Sequence, residues 1–236
     1  MAAIVEKKSF SLGLILTIGF VAILVILFSP VFHGQTGLYR IDETFNGLAK
    51  GSTYFTPELL EKAEKWSGKD FEISLHFKTG LEKAEILFKN AGCEVVKQGD
   101  ILKIKGDLGK LGKAIVKDTE DMYHNRGELV KTRYGFNSEK EVLYYWWLAL
   151  KQMDKTFKKA GKVKEAGFCH DLLAKGVEAS YNFYGVEPEK AGGHVALVSF
   201  LLIFYVVYTV WWGFAIYYLF EGLGLKTTKA KVKKEA

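Results

Sequence analysis

"FEISLHFK", Phe71 to Lys78, decides how the middle of this chain folds. Phe71, Ile73, Leu75 and Phe77 alternate with Glu72, Ser74, His76 and Lys78. That period of two belongs to a strand with one buried face and one wet face. A helix cannot use it, because residues two apart point to nearly opposite sides of the helix axis. Such a strand needs neighbours in a sheet and a layer covering its apolar face.

The residues that follow supply both. Thr79 and Glu82 match a capping box opening a helix over "GLEKAEILFKNAG", which Gly92 stops. "CEVVK" and "ILKIK" read as strands joined by a hairpin at Gln98-Gly99-Asp100. Asp107 caps a further helix through Tyr123, with Gly109 and Gly112 weakening its first turns. "ELVKTRY" places Val130, Thr132 and Tyr134 on one face of a fourth strand. The order β-α-β-β-α-β over residues 69–136 resembles a small ferredoxin-like unit, a fold that serves many functions.

Residues 137–186 read as an antiparallel helical hairpin. Ser138 and Glu141 cap a helix running to Gly161, and a second helix runs from about Lys164 to Tyr184. On the first, Val142, Trp146, Ala149, Met153 and Phe157 share a face; on the second, Cys169, Leu172, Leu173, Gly176 and Tyr184 do. From Val142 to Leu150 every residue is apolar or aromatic, so this part of the helix must be covered on several sides. One partner helix covers one side only. Tyr145, Trp146 and Trp147 are therefore expected to face a partner or a hydrophobic ligand. Before the strand region, residues 33–68 form an external connector in which Thr56 and Pro57 start a short helix. Residues 187–194 form a polar linker.

Two outer segments set the context. Phe10 to Phe28 and Val195 to Phe220 carry no charge, and each is long enough to cross about 30 Å of hydrocarbon. The first run is longer than a signal-peptide core and lacks a small-residue cleavage site, which favours a retained anchor. We assign transmembrane helices to residues 10–32 and 195–220. Lys7 and Lys8 precede the first, and Lys226, Lys229, Lys231, Lys233 and Lys234 follow the second. By the positive-inside rule, residues 1–9 and 221–236 are cytoplasmic and residues 33–194 are periplasmic or extracellular, as on a bacterial inner membrane.

Charge supports this division. Residues 33–194 hold 26 Lys and Arg against 24 Asp and Glu, so this region is close to neutral and the larger part of the net +6 lies in the ends. Nucleic acid is not an expected partner. The expected partners are the lipid bilayer and other membrane proteins or a second copy of this chain. Trp211, Trp212, Tyr217 and Tyr218 suit an interfacial aromatic belt. Tyr205, Tyr208 and Trp212 form a stripe beside Phe204 and Trp211, read either as packing on the first span or as a partner-helix interface.

Chemistry is sparse. No phosphate loop, dinucleotide fingerprint, zinc or haem motif occurs, and "KGDLGKLGK" lacks the spacing that cradles phosphate. His76 falls on the wet face of a strand and His124 at a helix C-terminus. Cys169 and His170 point about 100° apart on a helix and cannot easily share a metal. Asp118 and Asp121 share a helix face as paired acids would. Cys93 and Cys169 either form a disulfide or are buried as small hydrophobes. No catalytic residue, cofactor or metal set is expected. The chain reads as a non-catalytic membrane-anchored subunit or assembly factor of an envelope complex; the alternative is a module binding a lipid, quinone or other hydrophobic ligand.

Overall fold

The structure is a computed structural model that describes residues 4–225; the lysine-rich tail that carries much of the topology signal lies outside the described residues. The described chain divides into two compact units, residues 4–45 with 190–225 and residues Asn46–Glu189.

The first unit contains two helices long and apolar enough to cross a membrane, α1 (Lys7–Phe28) and α10 (Ala191–Gly222). They pack antiparallel. The backbone N–H groups of Val5 and Glu6, at the start of α1, donate to the Gly222 carbonyl at the end of α10, at 2.8 and 3.1 Å. Backbones approach closely at Gly13, where an added Cβ would lie 2.6 Å from the Leu219 amide nitrogen. Small residues permit such contact in lipid, where packing rather than water exclusion holds helices together.

α2 (Gly37–Ser52) contains the boundary between the units, and the second unit continues with α3 (Thr56–Lys65), β1 (Asp70–His76), α4 (Leu81–Asn90), β2 (Glu94–Gln98) and β3 (Ile101–Asp107). There follow α5 (Leu108–Tyr123), α6 (Gly127–Tyr134), α7 (Glu139–Lys159) and one long run made of α8 (Val163–Asp171), a π-helical segment (Leu172–Glu178) and α9 (Ala179–Asn182). The sheet is antiparallel in the order β1-β3-β2, with Ile73 opposite Ile104 and Val95 opposite Ile104 on the other side. Phe71, Ile73 and Leu75 are buried while Glu72, Ser74 and His76 are exposed, the alternation read from the sequence. Gln152 accepts from the His76 backbone N–H at 3.0 Å, occupying a donor that the strand would otherwise offer to another chain.

The expected fourth strand is a helix. "ELVKTRY" lies in α6, where Val130 and Tyr134, four apart, are buried and Thr132 is exposed. Val130 and Tyr134 satisfy either period, and the tertiary partners of the last turn select the helix; Gly135, in the left-handed region at φ 67°, ends it. The sheet therefore has three strands, and the ferredoxin-like unit is not completed. The Thr79 capping box also fails to form, because Gly80 occupies the N-cap of α4 and no side chain caps it. Asp107 does cap α5, accepting from the Lys110 N–H at 2.8 Å.

One core joins the sheet to all the helices around it, and it continues across residue 136. α3 is part of that core rather than a connector: Leu59 and Ala63 are buried, and an added Cβ on Gly112 of α5 would lie 3.2 Å from the Ala63 Cβ and 2.6 Å from the Phe168 ring. The glycine that weakens the start of α5 is what lets α3 and α8 lie against it. Cys93 and Cys169 are both buried free thiols, which corrects the disulfide alternative. Each sits in apolar surroundings, where a thiol packs as a small hydrophobe.

The ends of this unit are tied together. Lys50 is fully buried, and its ammonium donates to Asn125 Oδ1 at 2.9 Å and to the Val186 carbonyl at 2.5 Å. Asn125, held at φ 55°, donates back to Val186 O and to Glu187. The Glu189 N–H reaches Gly47 O at 2.9 Å. Burial lowers the Lys50 pKa, and the nearby Glu187 charge works against that.

Candidate functional site

α7 is the element whose all-apolar stretch demanded cover, and the structure supplies most of it from within. Trp146 is 0% exposed, edge-on to Phe88 of α4 at 5.6 Å. Its indole N–H donates to Asp118 Oδ2 of α5 at 2.8 Å. Trp146 is thus a core residue and presents no surface to a partner or ligand, which corrects the expectation for it. Tyr145 is half-buried, edge-on to Phe136 at 6.2 Å with the Lys83 ammonium 5.8 Å from its ring.

Asp118 and Asp121 are not a pair of acids open to substrate. Asp118 is buried and also accepts from the Tyr134 hydroxyl at 2.6 Å and from Arg133, which bonds Asp121 at 2.6 Å as well. Arg126 pairs with Asp121 at 3.0 Å. Burial pushes the Asp118 carboxyl up, while the donors from Tyr134, Trp146 and Arg133 pull it down. Burial, with the Asp118 charge next in weight, raises the Tyr134 hydroxyl far above its usual range. This cluster ties α5, α6 and α7 together.

The open site lies on the other side of α7. Leu143, Tyr144 and Trp147 form one wall, Val177 and Glu178 of the π-helical segment the floor, and Tyr181 and Asn182 of α9 the second wall. The cleft has a volume of about 310 Å³, within the range that holds small ligands. Tyr144 and Tyr181 are 46% and 40% exposed, whereas Leu143 and Val177 are buried. The Tyr144 and Trp147 rings lie parallel within 16°, with centroids 6.4 Å apart. The Trp147 indole N–H donates to Glu178 Oε1 at 2.8 Å, and Glu178 forms no ion pair among the described residues. Two lysines stand on the aromatic rings without lining the cleft: Lys151 is 4.3 Å from the Trp147 ring centre, and Lys140 is 5.2 Å from that of Tyr181.

Seven-residue π-helical runs are rare, and wide turns of this kind recur at functional sites. Here the segment ends at Glu178, so the carboxylate enters the cleft at the point where α-helical spacing resumes. Trp147, which the sequence singled out, lines this cleft. Its partners Tyr144, Glu178 and Tyr181 were not singled out, since the spacing that brings the last two to α7 depends on the π turn.

In the anchor, Tyr208 and Trp211 face the first helix. The Tyr208 hydroxyl donates to Phe20 O at 2.8 Å and the Trp211 indole to Leu16 O at 3.0 Å. Phe20 stacks on Tyr208 with centroids 4.0 Å apart and lies 4.6 Å from the ring of Trp212. Tyr205 is 68% exposed. Of the two readings of this stripe, packing between the spans accounts for Tyr208, Trp211 and Trp212.

Cys169 is buried and His170 exposed, so the pair diverges as helix geometry requires. Among the described residues, no three His, Cys, Asp or Glu side chains are grouped to hold a metal ion. No protein-family model, curated protein or solved structure matches the chain.

Proposed function

We propose that this chain is a membrane-anchored binding module without catalytic chemistry of its own. Its two apolar helices hold an α+β domain, residues 46–189, on the external face of a membrane, and the cleft between α7 and the π-helical segment is its recognition site. The observation that carries this reading is that cleft: buried apolar residues, exposed aromatic walls and the polar side chains of Glu178 and Asn182 beside them, the usual composition of a small-ligand site. The placement outside the cytoplasm rests on the lysines that precede α1 and follow α10. A bacterial inner membrane with a periplasmic domain is the setting that fits this charge bias.

The test is extraction of the full chain in mild detergent, followed by mass spectrometry of organic extracts. The wild type should carry a small molecule in near-stoichiometric amount or take one up from membrane and cytosolic extracts. Trp147→Ala should abolish this while leaving the circular dichroism spectrum unchanged. Retention by the variant overturns the assignment of the site.

A second reading, a subunit or assembly factor of an envelope complex, draws on one observation. Tyr205, 68% exposed, is an aromatic side chain of α10 that α1 does not cover. A photo-crosslinking residue at position 205 in native membranes should capture a defined protein under that reading, and lipid alone if the surface only meets the bilayer.

A further inference from the structure

The cleft has a charge it does not neutralise. Glu178 is a carboxylate at the floor of an aromatic hollow, held in place by the Trp147 indole N–H and without a cationic partner among the described residues. Holding an anion beside apolar groups costs free energy unless a counter-charge arrives. The three aromatic walls point to the kind of counter-charge. The faces of Trp and Tyr rings carry negative quadrupole density and attract cations, tryptophan most strongly. The Lys151 ammonium already lies 4.3 Å from the centre of the Trp147 ring, so this ring accommodates a cation on its face.

The geometry also selects against a small hydrated ion. Leu143 and Val177 line the cleft with buried hydrocarbon, which offers nothing to the water shell of sodium or ammonium but makes good contact with methyl groups. A quaternary ammonium carries its charge behind methyl groups and loses little hydration on entering such a site. From the juxtaposition of Tyr144, Trp147 and Tyr181 with the unpaired Glu178 carboxylate we infer that the cleft binds an organic cation of the quaternary ammonium class. Trp147 and the two tyrosines take the methyl surface and Glu178 the charge. Lys140 and Lys151 stand over the rings without lining the cleft, where their positive charges attract an anionic group attached to the cation, which suits zwitterions such as a choline phosphate headgroup.

This inference rests on the cleft being the recognition site. Two sources share the chemistry, a free choline-like solute and a phosphatidylcholine headgroup. The experiment is calorimetric titration of the full chain in maltoside detergent with choline, with tetramethylammonium and with 3,3-dimethylbutan-1-ol, the uncharged shape analogue of choline. The two cations should bind about tenfold more tightly than the alcohol, the effect of a desolvated cation on aromatic faces with a carboxylate beside it. Glu178→Gln should remove most of that preference, and Trp147→Leu should weaken all three ligands, with thermal unfolding showing that both variants fold. Competition of bound choline by phosphatidylcholine nanodiscs, but not by phosphatidylglycerol nanodiscs, identifies the headgroup as the source; no competition identifies a soluble solute. Equal binding of choline and the alcohol overturns the cation assignment and leaves the cleft as an apolar-ligand site. Binding of choline that neither substitution alters overturns it too, by placing the cation elsewhere. If none of the three ligands binds, the cation assignment also fails, and the extraction experiment above decides separately whether the cleft holds another molecule.

Discussion

The indole N–H of Trp146 meets the Asp118 carboxylate at 2.8 Å inside the core, and both side chains are fully buried. The contact crosses between α7 and α5, and Tyr134 and Arg133 bring α6 to the same carboxylate. Removing one member leaves the others short of a partner they cannot replace with water. Trp146→Phe should cost about 3 kcal/mol, combining the lost hydrogen bond with a cavity. Asp118→Ala should cost about 3–5 kcal/mol, because it leaves the Arg133 charge half-buried and undercompensated. Urea unfolding of the full chain in detergent, followed by circular dichroism, gives both values. An Asp118→Ala loss below about 1 kcal/mol would show that the cluster is not what joins these helices.

Glu58 should contribute to acid sensitivity, in an amount that its solvent exposure keeps modest. Its carboxylate accepts from Lys175 at 2.6 Å and Lys62 at 2.7 Å, joining α3 to the π-helical segment. Those bonds, Lys175 first, hold its pKa at about 2 against an ordinary value of 4.5. A carboxyl with a depressed native pKa stabilises the fold above its ordinary pKa, and the contribution is lost as pH falls from 4.5 towards about 2. The urea midpoint of the wild type should therefore drop across that window. Glu58→Gln should be weaker at neutral pH and should show a shallower drop. Parallel curves for the two proteins would remove Glu58 from the account.

What the sequence made legible, and what it did not, follows from where the partners of each residue lie. The alternation in Phe71 to Phe77 reports burial directly, because a strand with one wet face writes that face into every second residue. "ELVKTRY" was ambiguous, since Val130 and Tyr134 fit a period of two or a spacing of four, and the decision came from Asp118, which Tyr134 bonds from 16 positions away. Lys50, in the polar-looking "NGLAKGS", gives no local sign of burial; its acceptors are 75 and 136 residues distant. The cleft divides the same way. Trp147 stands out in an aromatic run, but Glu178 lies 31 positions on and enters the site through a π-helical segment that no periodicity announces.

The two thiols should be silent in the folded protein. Burial pushes Cys93 up to about 11, with the Asp107 charge adding to it, and burial raises Cys169 further still. The reactive thiolate is then almost absent near neutral pH, and access is closed as well. Alkylation of the native protein with iodoacetamide at neutral pH should label neither cysteine within the time that labels both after denaturation. Peptide mapping under non-reducing conditions should show both as free thiols. Rapid labelling of the native chain, or a linked peptide containing Cys93 and Cys169, would contradict the buried free state.

The anchor offers the sharpest separation between packing and polar contact. Tyr208 and Trp211 each donate to a carbonyl of the opposing helix, while Gly13 lets the backbones touch. Interhelical hydrogen bonds in lipid contribute about 0.6 kcal/mol on average, because the separated helices find other partners. Tyr208→Phe, which removes only the hydroxyl, should therefore weaken helix association by about that much. Gly13→Ile should act more strongly. Its Cβ alone would lie 2.6 Å from the Leu219 nitrogen, a backbone atom that cannot swing aside, so the helices must separate along that turn and lose neighbouring contacts as well. Unfolding in mixed dodecyl sulfate and maltoside micelles, read from tryptophan emission, should show a small midpoint shift for Tyr208→Phe and a large one for Gly13→Ile. The reverse ranking would mean that the polar contacts, and not backbone proximity, hold the two helices together.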